Sequence, residues 1–399
     1  MPWTRRQWTL AALAATAGCS ETPQSPTPEA PETLSADELL ARSYVIDLHC
    51  DTPWRKQSAP FDLGANHPRG QVDIPKMRAG GVSAVFFAVF NYGARGATPE
   101  KYQDALSIID SIKADVASHA DDLTLALSAD DIEAAKAADK IAILMGIEGG
   151  HMIDSNLDNL RHLYELGGRY MTLTHSVHLP WAGSSGDEAD EDPGLTEFGR
   201  EVVAEMNRLG MMVDLSHVSD KTFFGALETS AAPVIASHSS CRALATHPRN
   251  VTDDMIRRVA DGGGVVHINF YNSFIDDEYR SRSRDYEDGA DPETPAEEWD
   301  AAMRKLHALG RTPLSVLIDH IEHVANVGGI EHVGLGSDFD GVNEELPEAM
   351  EDISKIPNLI PGLRDRGFGD DAISKILGGN TLRVMREVEA HANAREESA

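Results

Sequence analysis

Short apolar, β-branched runs recur along the chain, and most are separated by stretches with helical spacing. The runs fall at residues 44–48, 82–90, 141–147, 170–174, 211–215, 234–236, 265–270 and 333–335. They lack the polar alternation of a half-exposed strand, so each predicts a strand covered on both faces, as parallel strands are. Helical patterns lie between them at residues 101–119, 156–166, 196–209 and 314–327. In the last of these, Leu314, Leu317, Ile318, Ile321 and Val324 form one apolar stripe, the spacing of a helix laid against a sheet. Strand–helix alternation repeated in this way predicts an α/β chain closed into a (β/α)8 TIM barrel, with an open doubly wound sheet as the alternative. The long acidic stretch 271–311 follows the seventh run. It predicts an insertion over the top of the barrel, where specificity elements sit.

Composition narrows the class. The 399 residues are 41% hydrophobic, enough for the core of one large barrel domain. Lys and Arg number 35 against 65 Asp and Glu, a formal net charge of −30. That charge repels phosphate backbones and anionic membrane surfaces, which argues against a nucleic-acid partner. The acidic runs at 187–192 and 285–293 read as solvated loops. Three cysteines, Cys19, Cys50 and Cys241, are too few for a disulfide framework, although one bridge between the last two is arithmetically open.

Residues 1–19 read as an export signal. Arg5 and Arg6 precede an apolar stretch from Trp8 to Gly18, shorter than the roughly 20 residues that span a bilayer. The arginine pair resembles a bacterial twin-arginine signal. Thr16-Ala17-Gly18-Cys19 resembles a lipoprotein cleavage box cut before Cys19, with a plain secretory signal as the alternative. Residues 20–33 form a Pro-rich linker, and residues 34–399 the barrel domain. The expected location is the periplasm of a bacterium, free or membrane-anchored through a lipid on Cys19.

The chemistry sits at the ends of the runs. His49 and Asp51 end the first, Glu148 the third, His175 the fourth, His217 the fifth, His238 the sixth and Asp338 the eighth. These are C-terminal strand ends, the rim where barrel enzymes keep their active sites. Residues two apart on a strand point the same way, so His49 and Asp51 can meet one cation. Glu148 has two oxygens and can bridge a pair of cations, with His217 and His238 completing the second set. Imidazole with carboxylate favours two zinc ions, with manganese or cobalt able to substitute. Taken singly, each residue has a plainer meaning. A lone histidine at a strand end is usually structural, and His151, His178, His247 and His267 are read so. Arg249 taken alone reads as a surface ion pair.

Residues 45–51 (VIDLHCD), 146–153 (GIEGGHMI), 173–176 (LTHS), 214–219 (DLSHVS), 237–240 (SHSS), Arg249-Asn250, 269–272 (NFYN), 337–341 (SDFDG) and 379–384 (GNTLRV) resemble the membrane dipeptidase, or renal dipeptidase, family of zinc metallopeptidases. The resemblance spans nearly the whole chain beyond the linker, with its motifs in order. It implies a metal-dependent hydrolase barrel, a homodimer in many members, acting on dipeptides that include some with a C-terminal D-residue. It implies that His49 and Asp51 bind one zinc, His217 and His238 the other, and Glu148 both. It further implies that His175 contacts the substrate and steadies the tetrahedral intermediate, that Arg249 holds the substrate carboxylate, and that Asp338 is the acid–base group. Hydrolysis would then use a metal-bridging hydroxide. The alternatives are another barrel amidohydrolase acting on N-acyl amino acids, lactams or phosphoesters, and a non-catalytic lipoprotein that binds a metal or peptide. The stretches 183–194 and 271–311 match the family poorly, and both are expected to border the substrate.

Overall fold

A computed structural model describes residues 34–91, 99–188, 191–283, 296–342 and 344–396. The readings of residues 1–33 as signal, Cys19 lipid site and linker lie outside the described residues. Among the described residues no helix is long and apolar enough to cross a membrane.

The strands are β1 (Ile46–Cys50), β2 (Ala84–Val89), β3 (Leu123–Leu125), β4 (Ile141–Glu148), β5 (Gly168–Thr172), β6 (Met212–Asp214), β7 (Val234–Ala236), β8 (Val265–Ile268) and β9 (Val333–Leu335). All pairings are parallel, in the order β1-β2-β4-β5-β6-β7-β8-β9, with β3 joined to β4 off this path. The eight path strands are those the hydrophobic runs predict. β3 escapes that reading because three residues carry too little pattern. The two ends of the path meet at a parallel bridge between Cys50 and Phe339. There the Asp51 amide donates to the Phe339 carbonyl at 2.8 Å and the Asp338 amide to the His49 carbonyl at 3.1 Å. The barrel is closed at this seam by a few bonds rather than by a full ladder.

Helices wrap the outside for local reasons that the sequence states. Glu197–Leu209 starts where the Thr196 side chain accepts the Gly199 amide and stops where Gly210 turns to φ 78°, a conformation glycine adopts without penalty. Its Val202, Val203 and Met206 are buried against the sheet.

Strand residues divide by parity into two layers. Val85, Phe87 and Val89 of β2 and Ile143, Met145 and Ile147 of β4 join the core that includes the helices. Ala84, Phe86, Ala142, Leu144, Tyr170, Met212, Ile235 and Val265 form a second cluster on the opposite, inward face. In β1 the register shifts: Ile46 pairs with Ala84 and Asp47 with Val85, but Cys50 then pairs with Phe87. Three steps on β1 match two on β2, so one residue is extra and the inward parity flips. Ile46 faces inward before the bulge; His49 and Asp51 do so after it.

On β4, Gly146 and Glu148 share the inward face with Leu144, and a slip in pairing sets Tyr170 beside Gly146. A Cβ at Gly146 would lie 1.9 Å from Tyr170 Cζ. The tyrosine is fully buried and has nowhere to go. Gly146→Ala is therefore expected to destabilise the fold by about 3 kcal/mol through overpacking, measured as a lower urea or thermal unfolding midpoint.

Candidate metal centre

The strand ends bring all seven rim residues named above to one place. Glu148 is the hub: its Oε1 lies 3.6 Å from His49 Nε2, 3.6 Å from His175 Nε2, 3.1 Å from His217 Nε2 and 3.6 Å from His238 Nε2. His49 Nε2 is 3.3 Å from Asp51 Oδ2, and His217 and His238 face each other Nε2 to Nε2 at 2.9 Å. Three groups have donor atoms close enough to hold an ion: His49 with Glu148 and His238, Glu148 with His175 and His217, and His49 with Asp51 and Asp338. Glu148 belongs to two of them, as a bridging carboxylate must. His175 and Asp338, read from the sequence as non-ligands, come as near as the five read as ligands.

Neighbouring groups aim these rings. The Ser237 hydroxyl donates to Asp214 Oδ2 at 2.6 Å, so its oxygen accepts from His238 Nδ1 at 2.7 Å. That places the ring proton on Nδ1 and leaves the Nε2 lone pair for a cation. Asp214 is held in turn by the amides of Ser216 and Ser237, at 3.1 and 2.7 Å. His49 Nδ1 meets the Tyr170 hydroxyl at 2.7 Å. In the loop 183–194, expected to border the substrate, Ser184 and Ser185 brace the ligands; residues 189–190 lie outside the described residues. The Ser185 amide donates to the His217 carbonyl at 2.8 Å, and the Ser184 hydroxyl bonds the His175 carbonyl. His217 and Asp338 sit at φ 68° and 67°, left-handed positions that cost a non-glycine residue about 1–3 kcal/mol unless neighbours fix them. Here the serine contacts and the barrel seam do so.

The electrostatics call for a cation. Asp51, Glu148 and Asp338 are all buried. Burial pushes Glu148 well above the usual carboxylate range, and burial followed by the nearby Asp51 charge raises Asp338 to about 6. Burial pulls His49 down, but Glu148 and Asp51 together outweigh it and hold the ring at about 10. His175, His217 and His238 are driven well below 6.5 by burial, then by neighbouring positive groups, and neutral imidazole is the form that binds metal. His49 Nε2 and Asp51 Oδ1 are buried without a hydrogen-bond partner among the described residues. Orphaned donor atoms, neutral imidazoles and carboxylates make a donor set that fits divalent cations.

Beside the ligands lies a cavity of about 240 Å³, lined by Trp54, Phe90, His175, Arg249, Tyr271, Phe274 and Asp338 among others. Arg249 is buried rather than a surface ion pair. Its guanidinium lies 5.3 Å over the Phe274 ring and donates weakly from Nη2 to the His238 carbonyl at 3.5 Å. Nε and Nη1 have no partner among the described residues, and burial lowers the group to about 10. Tyr271 and Phe274 show that the start of the 271–311 insertion does reach the cavity; residues 284–295 lie outside the described residues.

The four histidines read as structural take no part in the ligand groups. His151 donates to the Asn91 carbonyl at 3.0 Å, His178 accepts the Ser184 amide at 2.9 Å, and His247 accepts the Arg249 amide at 3.1 Å. His267 is buried between the Ala236 carbonyl and the Thr381 hydroxyl. Cys50 and Cys241 are free buried thiols. The sequence reading missed Tyr170, Asp214 and the serines as supports, and Tyr271, Phe274 and Trp54 as cavity walls. The one legible signal was Tyr170, since a tyrosine inside an apolar strand needs a partner for its hydroxyl.

Residues 34–399 match the profile described as membrane dipeptidase, peptidase family M19. An uncharacterized dipeptidase of Schizosaccharomyces pombe is 39% identical over 372 residues, covering 88% of this chain and 82% of that protein. Among solved structures, a probable dipeptidase of Pseudomonas aeruginosa is 26% identical with a TM-score of 0.74, over 90% of this chain and 98% of that one. A metallopeptidase of Rhodobacter sphaeroides, liganded with a phosphinate mimic of the dipeptide L-Ala-D-Ala, is 24% identical with a TM-score of 0.73, over 87% and 99%.

Tyr170→Phe removes the hydroxyl at His49 Nδ1 and nothing else from the ligand set. It is expected to weaken metal binding by about 10- to 100-fold, read by competition with a chromogenic chelator, while the unfolding midpoint of the apo protein changes little.

Proposed function

The chain belongs to the membrane dipeptidase family, peptidase family M19, and from that membership we propose how its residues divide the work. It is a metal-dependent dipeptidase. His49 and Asp51 would hold one zinc and His217 and His238 a second, with Glu148 shared between them. Once bound, the ions supply Lewis acidity and make water acidic near neutral pH.

The observation that carries the substrate reading is Arg249. A buried guanidinium with two unpartnered nitrogens opens on the same cavity as Glu148, and an unpaired buried charge is costly without a counter-ion. A substrate carboxylate fits that need. Arg249 grips the α-carboxylate one residue beyond the scissile bond, which fixes the substrate as a dipeptide. The fork holds both carboxylate oxygens whatever the configuration of the carbon that bears them, so dipeptides with a C-terminal D-residue are included.

His175 and Asp338 do the remaining work. Ser176 Oγ lies 2.9 Å from His175 Nδ1; with the hydroxyl donating there, Nε2 carries the ring proton and donates to the oxygen that gains charge. Asp338 Oδ2 accepts from Asn269 Nδ2 at 2.9 Å, which leaves its other oxygen to take a proton and pass it to the leaving amine. Burial and the Asp51 charge raise it above the usual carboxylate range, the direction that suits a group that must both accept and release a proton.

Two experiments test the reading. Elemental analysis of the purified protein should find two metal ions per chain, chelation should abolish hydrolysis, and Glu148→Gln should lose both ions together. Retained activity in metal-free protein overturns the metal assignment. In steady-state kinetics, Arg249→Ala should lower kcat/KM for dipeptides by roughly 10- to 1000-fold. Dipeptide amides, already poor substrates of the wild type, should lose little more. An equal loss on acids and amides would make Arg249 structural.

A further inference from the structure

The turn after β9 carries Asp338 and Asp340, at φ 67° and 68°, on either side of Phe339. Asp340 is 1% exposed and has no place in the chemistry described above. Its carboxylate is nevertheless closely held. Oδ2 accepts from Thr52 Oγ1 at 2.8 Å, Oδ1 accepts the Gln71 amide at 2.8 Å, and Arg55 Nε, itself buried, lies 3.6 Å from Oδ1 as the counter-charge. The Asp340 amide donates back to Gln71 Oε1 at 2.5 Å. Thr52 and Arg55 belong to the helix Thr52–Ser58, for which Asp51 is the capping residue.

Asp340 therefore ties the turn that carries Asp338 to the helix that starts at Asp51. The approach is close: a Cβ at Gly341 would lie 2.3 Å from Asp51 Oδ2 and 2.7 Å from Asp338 Oδ1. A strained turn this near another carboxylate keeps its place only if something outside it pulls it in. We propose that Asp340, with Arg55 as its counter-ion, is a positioning residue that sets the Asp338 carboxyl against Asp51 for proton transfer. The proposal rests on the reading of Asp338 as the proton-transfer group. A misplacement of about 1 Å at such a group costs about 100-fold in rate, so the effect falls on turnover and spares substrate binding, which rests on Arg249.

Asp340→Asn preserves shape, removes the charge and sets an amide N–H against a donor. We expect kcat on a dipeptide to fall by about 10- to 100-fold, with KM within about threefold of wild type. Metal content of the folded protein should stay at the wild-type value. A crystal structure of the variant should show the Asp338 carboxyl displaced from Asp51. Thr52→Val, which removes one donor and leaves the charge pair, should lower kcat by less than about tenfold and keeps the test open if the first variant folds poorly. The proposal fails if Asp338 is unmoved in the crystal structure, if kcat stays within about twofold of wild type, or if kcat and metal content fall in step. Wild-type protein that hydrolyses no dipeptide would overturn the functional reading instead, while the crystal structure still decides the placement of Asp338.

Discussion

Glu148 sets the terms for the upper half of the barrel. Its carboxylate is buried, and four imidazole nitrogens point at one of its oxygens from different strands. Placing a charge where water cannot reach it is costly unless paired charge comes with it. The surroundings meet that demand in layers. The His49 ring lies against two carboxylates, the neutral His217 and His238 rings offer lone pairs, and Arg249 adds a permanent charge at the cavity wall. Behind the rings, the Ser237–Asp214 pair fixes which His238 nitrogen carries the proton, and the Tyr170 hydroxyl holds His49 Nδ1. The hydrogen bonds around the site serve mainly to keep donors aimed at positions that only a cation can fill.

The same requirement explains the irregular backbone. A regular β1 would have sent His49 and Asp51 outward into the helical layer; the extra residue after Asp47 turns them in. His217 and Asp338 leave their strands in left-handed conformations that aim each side chain back over the barrel mouth. The barrel below is regular, filled by alternating side chains from consecutive strands. Departures from regularity concentrate where chemistry needs a side chain off the lattice of the sheet.

Much of this was legible in the sequence, and the reasons are physical. Strands buried on both faces write themselves as continuous apolar runs, and a barrel places its chemistry at the C-terminal ends of those runs, so His49, Asp51, Glu148, His217 and His238 could be read together. β3 carried too few residues to show a period. The β1 bulge was invisible, because a single extra residue changes parity without changing composition. Taken alone Arg249 read as a surface charge, and only the family resemblance marked it as a substrate contact; the fold buries it against Phe274. The supporting roles of Asp214, Ser184 and Ser185 depend on contacts between distant strands and loops, which local patterns do not encode. The loop at 183–194 was expected beside the substrate, yet Ser184 and Ser185 hold the ligand loops from behind.

The seam between β1 and β9 joins the first and last strands of the barrel by one bridge and a few amide bonds, and His49, Asp51 and Asp338 converge across it. An ion held by His49, Asp51 and Glu148 would fasten β1, one side of that seam, to β4. Folding and metal uptake then become linked equilibria: the native state alone offers the assembled donors, so free metal raises the free energy of unfolding by about 1.4 kcal/mol for each tenfold excess over its dissociation constant. In this barrel the ion that makes the chemistry available would also help to hold the first strand in the cylinder.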